Sequence, residues 1–173
     1  MDTASEARLK DVMPELAARI RQVAELCKQD TAISPDGFDV RVSQGLRTWN
    51  EQEALWLKGR ATDGTVIDRH AIVTNCRGGH SWHNFGMAVD LVPDDTTKAD
   101  FQCDWNAQHP AWKSMARIGK ALGLEVGAYW RTFPDAPHFQ LTGKFPIGSP
   151  NDAVRALFKS GGLAAVWAEA FKL

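Results

Sequence analysis

Near the start of the chain, Leu9, Val12, Met13, Leu16, Ile20, Val23 and Cys27 recur at helical spacing. One apolar stripe of this kind marks an amphipathic helix facing a core. Thr3-Ala-Ser-Glu6 ahead of it suits a capping box. Pro14 interrupts the stripe and predicts either a kink or a fresh helix with Pro14 in its first turn. Ser34-Pro35-Asp36-Gly37 reads as a turn. Phe38, Val40 and Val42 then alternate with polar residues, as in a half-buried strand. Thr48-Trp-Asn-Glu51 is a second capping box, opening a helix to about Gly59. Arg60 to Thr65 reads as a loop, with extended pieces at Val66-Ile67 and from Ala71 to Thr74. Strand character returns in Ala88 to Val92 and in Pro137 to Leu141. Between those two, Trp112, Met115, Ile118 and Leu122 mark a helix that Gly123 stops, and Glu125 to Trp130 enters a strand. Gly143 to Pro150 is a loop, and Asn151 to Leu173 is helical with a break at Gly161-Gly162. Helices and short strands that do not alternate regularly predict an α+β domain, a small, mainly antiparallel sheet flanked by helices.

Length and composition narrow the class. The 173 residues predict one domain, 1–173, large enough to bury a core without staples. A net charge of -1 and a pI of about 6.5 imply no general attraction to nucleic acid or to anionic lipid. No stretch approaches the ~20 apolar residues of a membrane span, and the N-terminus lacks an apolar signal core. Cys27, Cys76 and Cys103 contain no CxxC pair and are odd in number, so reduced, buried thiols in a monomer made in the cytosol are expected. The acidic stretch from Asp94 to Asp104 lacks the spacing of a calcium loop and reads as a solvated, mobile loop.

Chemistry concentrates in Ser81-Trp-His83-Asn-Phe-Gly86-Met-Ala88-Val-Asp90 and in Asp135-Ala-Pro-His138. Asp90 lies inside an aliphatic run, where a carboxylate is costly unless something positive meets it. The nearest basic residues in sequence are Arg77 and Lys98. His138 and Gln140 share one face of a short strand. Two imidazoles and one carboxylate, His83, His138 and Asp90, suit zinc, and three protein ligands leave its fourth position open for catalysis. A single histidine is more often satisfied core or surface than ligand; His80, three before His83, has no matching second residue and is assigned to the surface or to a supporting role. The fuller pattern Ser-x-His-x2-Gly-x-Ala-x-Asp followed by Asp-x2-His is far more specific.

Over roughly Gly45 to Leu141 that pattern resembles the zinc peptidases of the bacterial cell wall. These are the D-alanyl-D-alanine carboxypeptidases and dipeptidases of the VanY and VanX kind, and the L-alanyl-D-glutamate endopeptidases of phage endolysins. The resemblance implies the hedgehog/DD-peptidase fold and Zn2+ held by His83, Asp90 and His138. It also implies Asp135 as the base that takes a proton from water, and Arg47, in a Gly-x-Arg segment, as the donor to the oxyanion. Ser81 and Gln52 are the implied contacts to the peptidoglycan stem peptide, for Ser81 with a local turn bond as the plainer alternative; Tyr129 is a further candidate contact on its position alone, though an aromatic there is as often core. Relatives often have Trp-Gly-Gly where this chain has Val126-Gly127-Ala128, a departure in the wall of the pocket that Tyr129, Trp130 and Phe133 could line. The favoured expectation is an L-alanyl-D-glutamate endopeptidase, an endolysin made in the host cytoplasm and acting on the wall after release. A D-alanyl-D-alanine carboxypeptidase or dipeptidase, and a non-catalytic zinc-containing binding module, are the alternatives.

Overall fold

The computed structural model describes residues 1–31, 38–94, 102–106 and 108–172. The turn expected at 34–37, and the 95–101 part of the acidic loop, lie outside them. The chain divides into two compact units. One comprises Met1–Gly45 with Met87–Leu141, the other Leu46–Gly86 with Thr142–Leu173.

The first unit holds the sheet, with its strands in the order β1-β2-β4-β3 and every pair antiparallel. The strands are β1 (Val40–Gln44), β2 (Ala88–Pro93), β3 (Glu125–Val126) and β4 (His138–Gln140). Helices α1 (Thr3–Leu9), α2 (Pro14–Lys28) and α4 (Pro110–Ala121) belong to the same unit. The apolar stripe falls as the spacing predicts, with Leu9, Val12, Leu16, Ile20, Val23 and Cys27 all buried. Pro14 begins a fresh helix at its first position rather than kinking a long one. The expected cap at Thr3 is displaced by one residue: Asp2 is the N-cap, its carboxylate accepting the Ser5 N–H at 2.9 Å. An aspartate is an equally good acceptor there. The apolar face of α4 meets β4 through Gly119, where an added Cβ would lie 2.5 Å from the Phe139 ring. Gly123, at φ 75°, ends α4 as a left-handed residue.

The second unit carries α3 (Trp49–Trp56) and α5 (Asp152–Ala170). Both bonds of the capping box expected at Thr48 and Glu51 are made, but α3 stops at Trp56, short of Gly59. Val66 pairs in an isolated bridge with Arg60; of the piece expected from Ala71 to Thr74, Ala71 ends the 3-10 turn Arg69–Ala71, Ile72 is extended, and none of it joins the sheet. Val66, Ile67 and Val73 are exposed, so no packing rewards strand formation there. Helix α5 is non-helical at Gly161 and Gly162, the break the sequence predicts. The core of this unit is aromatic: Phe85 is fully buried and meets Trp49, Trp82 and Phe158 edge-on. Trp49 stacks on Phe158 at 5.7 Å, and the Trp167 indole N–H donates to the Phe85 carbonyl at 2.7 Å.

Cys27 is fully buried, and desolvation pushes its thiol up to about 12, too high to ionise near neutrality. Cys76 and Cys103 are half-buried rather than buried. Among the described residues, no helix is long and apolar enough to cross a membrane.

Candidate metal centre and active site

In the first unit the strand register does most of the positioning. Asp90 on β2 and His138 on β4 are directly opposed partners in an antiparallel pair, so their side chains leave the same face of the sheet. Val89 and Phe139, the next pair along, are fully buried on the other face. His138 Nδ1 stands 3.6 Å from Asp90 Oδ1, longer than a good N–H···O bond. Two donors on one tetrahedral zinc, each about 2.0 Å from it, lie roughly 3.3 Å apart. The pair therefore has the spacing of ligands to a shared cation.

The surroundings of the pair are built for it. Opposite Asp90 the ladder of β1 shifts register between Val42 and Gln44, and the Ser43 hydroxyl of this bulge donates to the Asp90 carbonyl at 3.2 Å. His138 Nε2 lies 2.8 Å from Gln140 Oε1, and Gln140 is 1% exposed. The Trp130 ring packs 4.9 Å from the imidazole, and its indole N–H donates to Glu125 at 3.0 Å. Burial opposes a charge on His138, yet its interaction with Asp90, reinforced by Gln140 and the charge of Asp135, raises the ring's pKa above the usual value. A site that favours a proton also favours a metal cation.

Asp135 is tied down on both sides. Its N–H donates to the Gly127 carbonyl at 3.0 Å, and its own carbonyl accepts the His138 N–H at 3.1 Å. The expected strand from Glu125 to Trp130 is cut to two residues, because Gly127–Tyr129 turn as a 3-10 helix against this segment. Tyr129 is 50% exposed, with Lys120 Nζ 4.9 Å from its ring centre.

The second unit positions His83, Ser81, Arg47 and Gln52. His83 sits, 2% exposed, in the 3-10 turn Trp82–Phe85, which Gly86 ends in a left-handed conformation at φ 62°. The Ser81 hydroxyl caps this turn by accepting the His83 N–H, the local bond that is the plainer reading of that serine. Arg47 Nη1 donates to Gln52 Oε1 at 2.7 Å, while the Gln52 amide N–H donates to the Cys76 carbonyl at 2.8 Å. Gln52 is fully buried, so its side chain holds the arginine. Asn84 went unremarked in the sequence, yet it is the hub of the region. Its Oδ1 accepts the Gly79 N–H at 2.9 Å, and its Nδ2 donates to the carbonyls of Arg47 and Thr48 at 2.9 and 3.2 Å. Arg47 N–H in turn donates to the His83 carbonyl at 3.0 Å. The segments bearing Arg47 and His83 are thereby fixed to one another. His80 is exposed, with Nδ1 3.4 Å from Arg155 Nη1.

Asp90 and His138 of the first unit offer a carboxylate and an imidazole as ligands, and His83 of the second unit offers a further imidazole. Two imidazoles and one carboxylate are donors that a borderline-soft divalent ion accepts readily. The comparisons with known proteins agree with that chemistry. A family model described as D-alanyl-D-alanine carboxypeptidase matches residues 74–141. The chain belongs to the M15 peptidase family, whose members are metallopeptidases. It is 34% identical over 143 residues to the peptidoglycan L-alanyl-D-glutamate endopeptidase CwlK of Bacillus subtilis, covering 79% of this chain and 81% of that one. The crystal structure of the L-Ala D-Glu endopeptidase ChiX of Serratia marcescens matches with a TM-score of 0.54 and 25% identity, over 82% of this chain and 89% of that one. The α+β fold with its small antiparallel sheet is thus that of a known peptidase.

Proposed function

We propose that this chain is a zinc-dependent endopeptidase that hydrolyses the bond between L-alanine and D-glutamate in peptidoglycan stem peptides. The observation that carries the reading is the Asp90–His138 pair, opposed across β2 and β4 at 3.6 Å, in a chain 34% identical to an endopeptidase of that specificity. His83, Asp90 and His138 would hold the metal. When bound, zinc would supply a water of lowered pKa and a Lewis acid for the scissile carbonyl. Asp135 accepts the proton of the attacking water and delivers it to the leaving amine of D-glutamate. Its fixed backbone, bonded to Gly127 and His138, supports that role. Arg47, held by Gln52, donates to the oxyanion, an effect of about 3 kcal/mol for a well-aimed donor. Ser81 and Tyr129 contact the peptide, Tyr129 from an exposed position.

A second reading has its own support, since the family model over residues 74–141 is described as a D-alanyl-D-alanine carboxypeptidase. Mass spectrometry of fragments released from purified peptidoglycan separates the two. The endopeptidase leaves L-alanine on muramic acid and exposes a new N-terminal D-glutamate. Free D-alanine or D-Ala-D-Ala, with the L-Ala–D-Glu bond intact, transfers the proposal to the carboxypeptidase or dipeptidase. Action as a monomeric phage endolysin, made in the host cytoplasm and released to the wall, is proposed on the wording of the Ser81–Asp90 motif. Expression inside a bacterial cell should then cause lysis only together with a membrane-permeabilising partner.

A further inference from the structure

Gln140 has no part in the chemistry described above, yet its side chain is almost completely buried, 1% exposed, on the strand that bears His138. Residues two apart on a strand share a face, and its Oε1 lies 2.8 Å from His138 Nε2. We propose that Gln140 is a positioning residue that fixes His138 in the tautomer with the proton on Nε2, so that Nδ1 presents its lone pair to the metal. This rests on the metal reading of His83, Asp90 and His138.

An amide carbonyl oxygen accepts and cannot donate, so at 2.8 Å the Nε2 atom must supply the proton. A neutral imidazole has only one such proton, so Nδ1 then carries a lone pair. That lone pair faces the Asp90 carboxylate at 3.6 Å. Lone pair and carboxylate repel one another unless a cation lies between them, and a metal ion removes the conflict. The opposite tautomer would set the Nε2 lone pair against the Gln140 oxygen at 2.8 Å. Burial adds weight to the choice, because a buried amide oxygen with no donor opposite is costly. An amide suits the position better than a carboxylate in one further respect. It orients the ring without adding a second negative charge to a donor set that already contains Asp90.

Ligands of this kind depend on such partners, whose loss typically weakens metal binding 10–100-fold. Three proteins test the assignment: wild type, Gln140→Met, which removes the acceptor at similar volume, and Gln140→Glu, which keeps it. Zinc affinity is measured by competition with a chromophoric chelator, and the His138 tautomer by long-range 1H–15N NMR of the zinc-loaded protein. We expect the His138 ring of wild type to carry its proton on Nε2. Zinc binding should weaken about 10–100-fold in Gln140→Met and return to within several-fold of wild type in Gln140→Glu. A proton on Nδ1 of zinc-loaded wild type overturns the proposal, and does so even if Gln140→Met fails to fold. Equal zinc affinity in wild type and Gln140→Met overturns it as well. Wild-type protein that takes up no zinc overturns the metal reading itself, an outcome distinct from the other two.

Discussion

The substitution Gly127→Ala would probe the proposed active site without replacing a functional side chain. A Cβ built on Gly127 lies 2.4 Å from the Asp135 carbonyl oxygen, 3.0 Å from the His138 Cβ and 3.1 Å from the Asp135 Cβ. Ordinary carbon–oxygen contacts begin at about 3.3 Å, so the turn and the Asp135–His138 segment must separate by roughly 0.9 Å. They are also joined by the bond from the Asp135 N–H to the Gly127 carbonyl, so the strain falls on the backbone that carries the proposed base. Overpacking of this kind costs about 1–3 kcal/mol, a fall in Tm of about 2–12 °C for a chain of this size. A misplacement near 1 Å lowers the rate about 10²-fold. Gly148→Ala is the matched control, since nothing lies within 4 Å of its added Cβ. Turnover on a soluble muropeptide and thermal unfolding should both fall for Gly127→Ala and stay unchanged for Gly148→Ala. Turnover of Gly127→Ala within three-fold of wild type, at an unchanged Tm, would refute this account of how Asp135 is placed.

Asp135→Asn should fold and keep its metal yet lose nearly all hydrolysis, because an amide cannot take up the water proton; Arg47→Ala should lower kcat more than it raises KM. Both are read by steady-state kinetics beside metal analysis. Asn84→Ala should destabilise by about 1–3 kcal/mol or more, because it strands the Gly79 N–H and the carbonyls of Arg47 and Thr48; denaturant unfolding measures this. Zinc binding should release protons and weaken as pH falls, because the raised pKa of His138 lets a proton compete for the site. In metal-free protein the sign is reversed. There the protonated ring contributes stability that is complete below the ordinary value of 6.5 and is lost as pH rises through the raised pKa. Chelator competition and thermal unfolding across pH 5–9, with and without zinc, check both halves.

Local periodicity made much of the fold legible. The stripe from Leu9 to Cys27, the restart at Pro14, the capping box at Thr48 and the stop at Gly123 each depend on neighbours in sequence, and the structure has all four. Where tertiary contacts decide, the local pattern carries less. The strand from Glu125 ends after two residues because Gly127 must turn against Asp135, a contact between residues eight apart. Val66, Ile67 and Val73 have the composition of strands but no buried face to pack. The same limit applies to the site. His83, Asp90, Asp135 and His138 stand out because imidazoles and carboxylates in that spacing have few other uses. Asn84 does not, because a buried amide is recognised by its partners, and those lie on other segments; Gln140 and Trp130 can be placed near His138 from the sequence, but not their bonds to His138 and Glu125. The resemblance makes Gln52 a substrate contact, whereas in the structure its amide is bonded to Arg47 and to the Cys76 carbonyl.

The central claim is a metal-dependent cut at one bond, and a defined muropeptide tests it most directly. N-acetylmuramyl-L-alanyl-D-glutamyl peptide is incubated with wild-type protein stripped of metal, and with the same protein after one equivalent of zinc is restored. The account predicts no cleavage in the first case. In the second it predicts a single pair of products, N-acetylmuramyl-L-alanine and a peptide beginning with D-glutamate. Cleavage by the metal-free protein, or an intact L-Ala–D-Glu bond after zinc is restored, would contradict it.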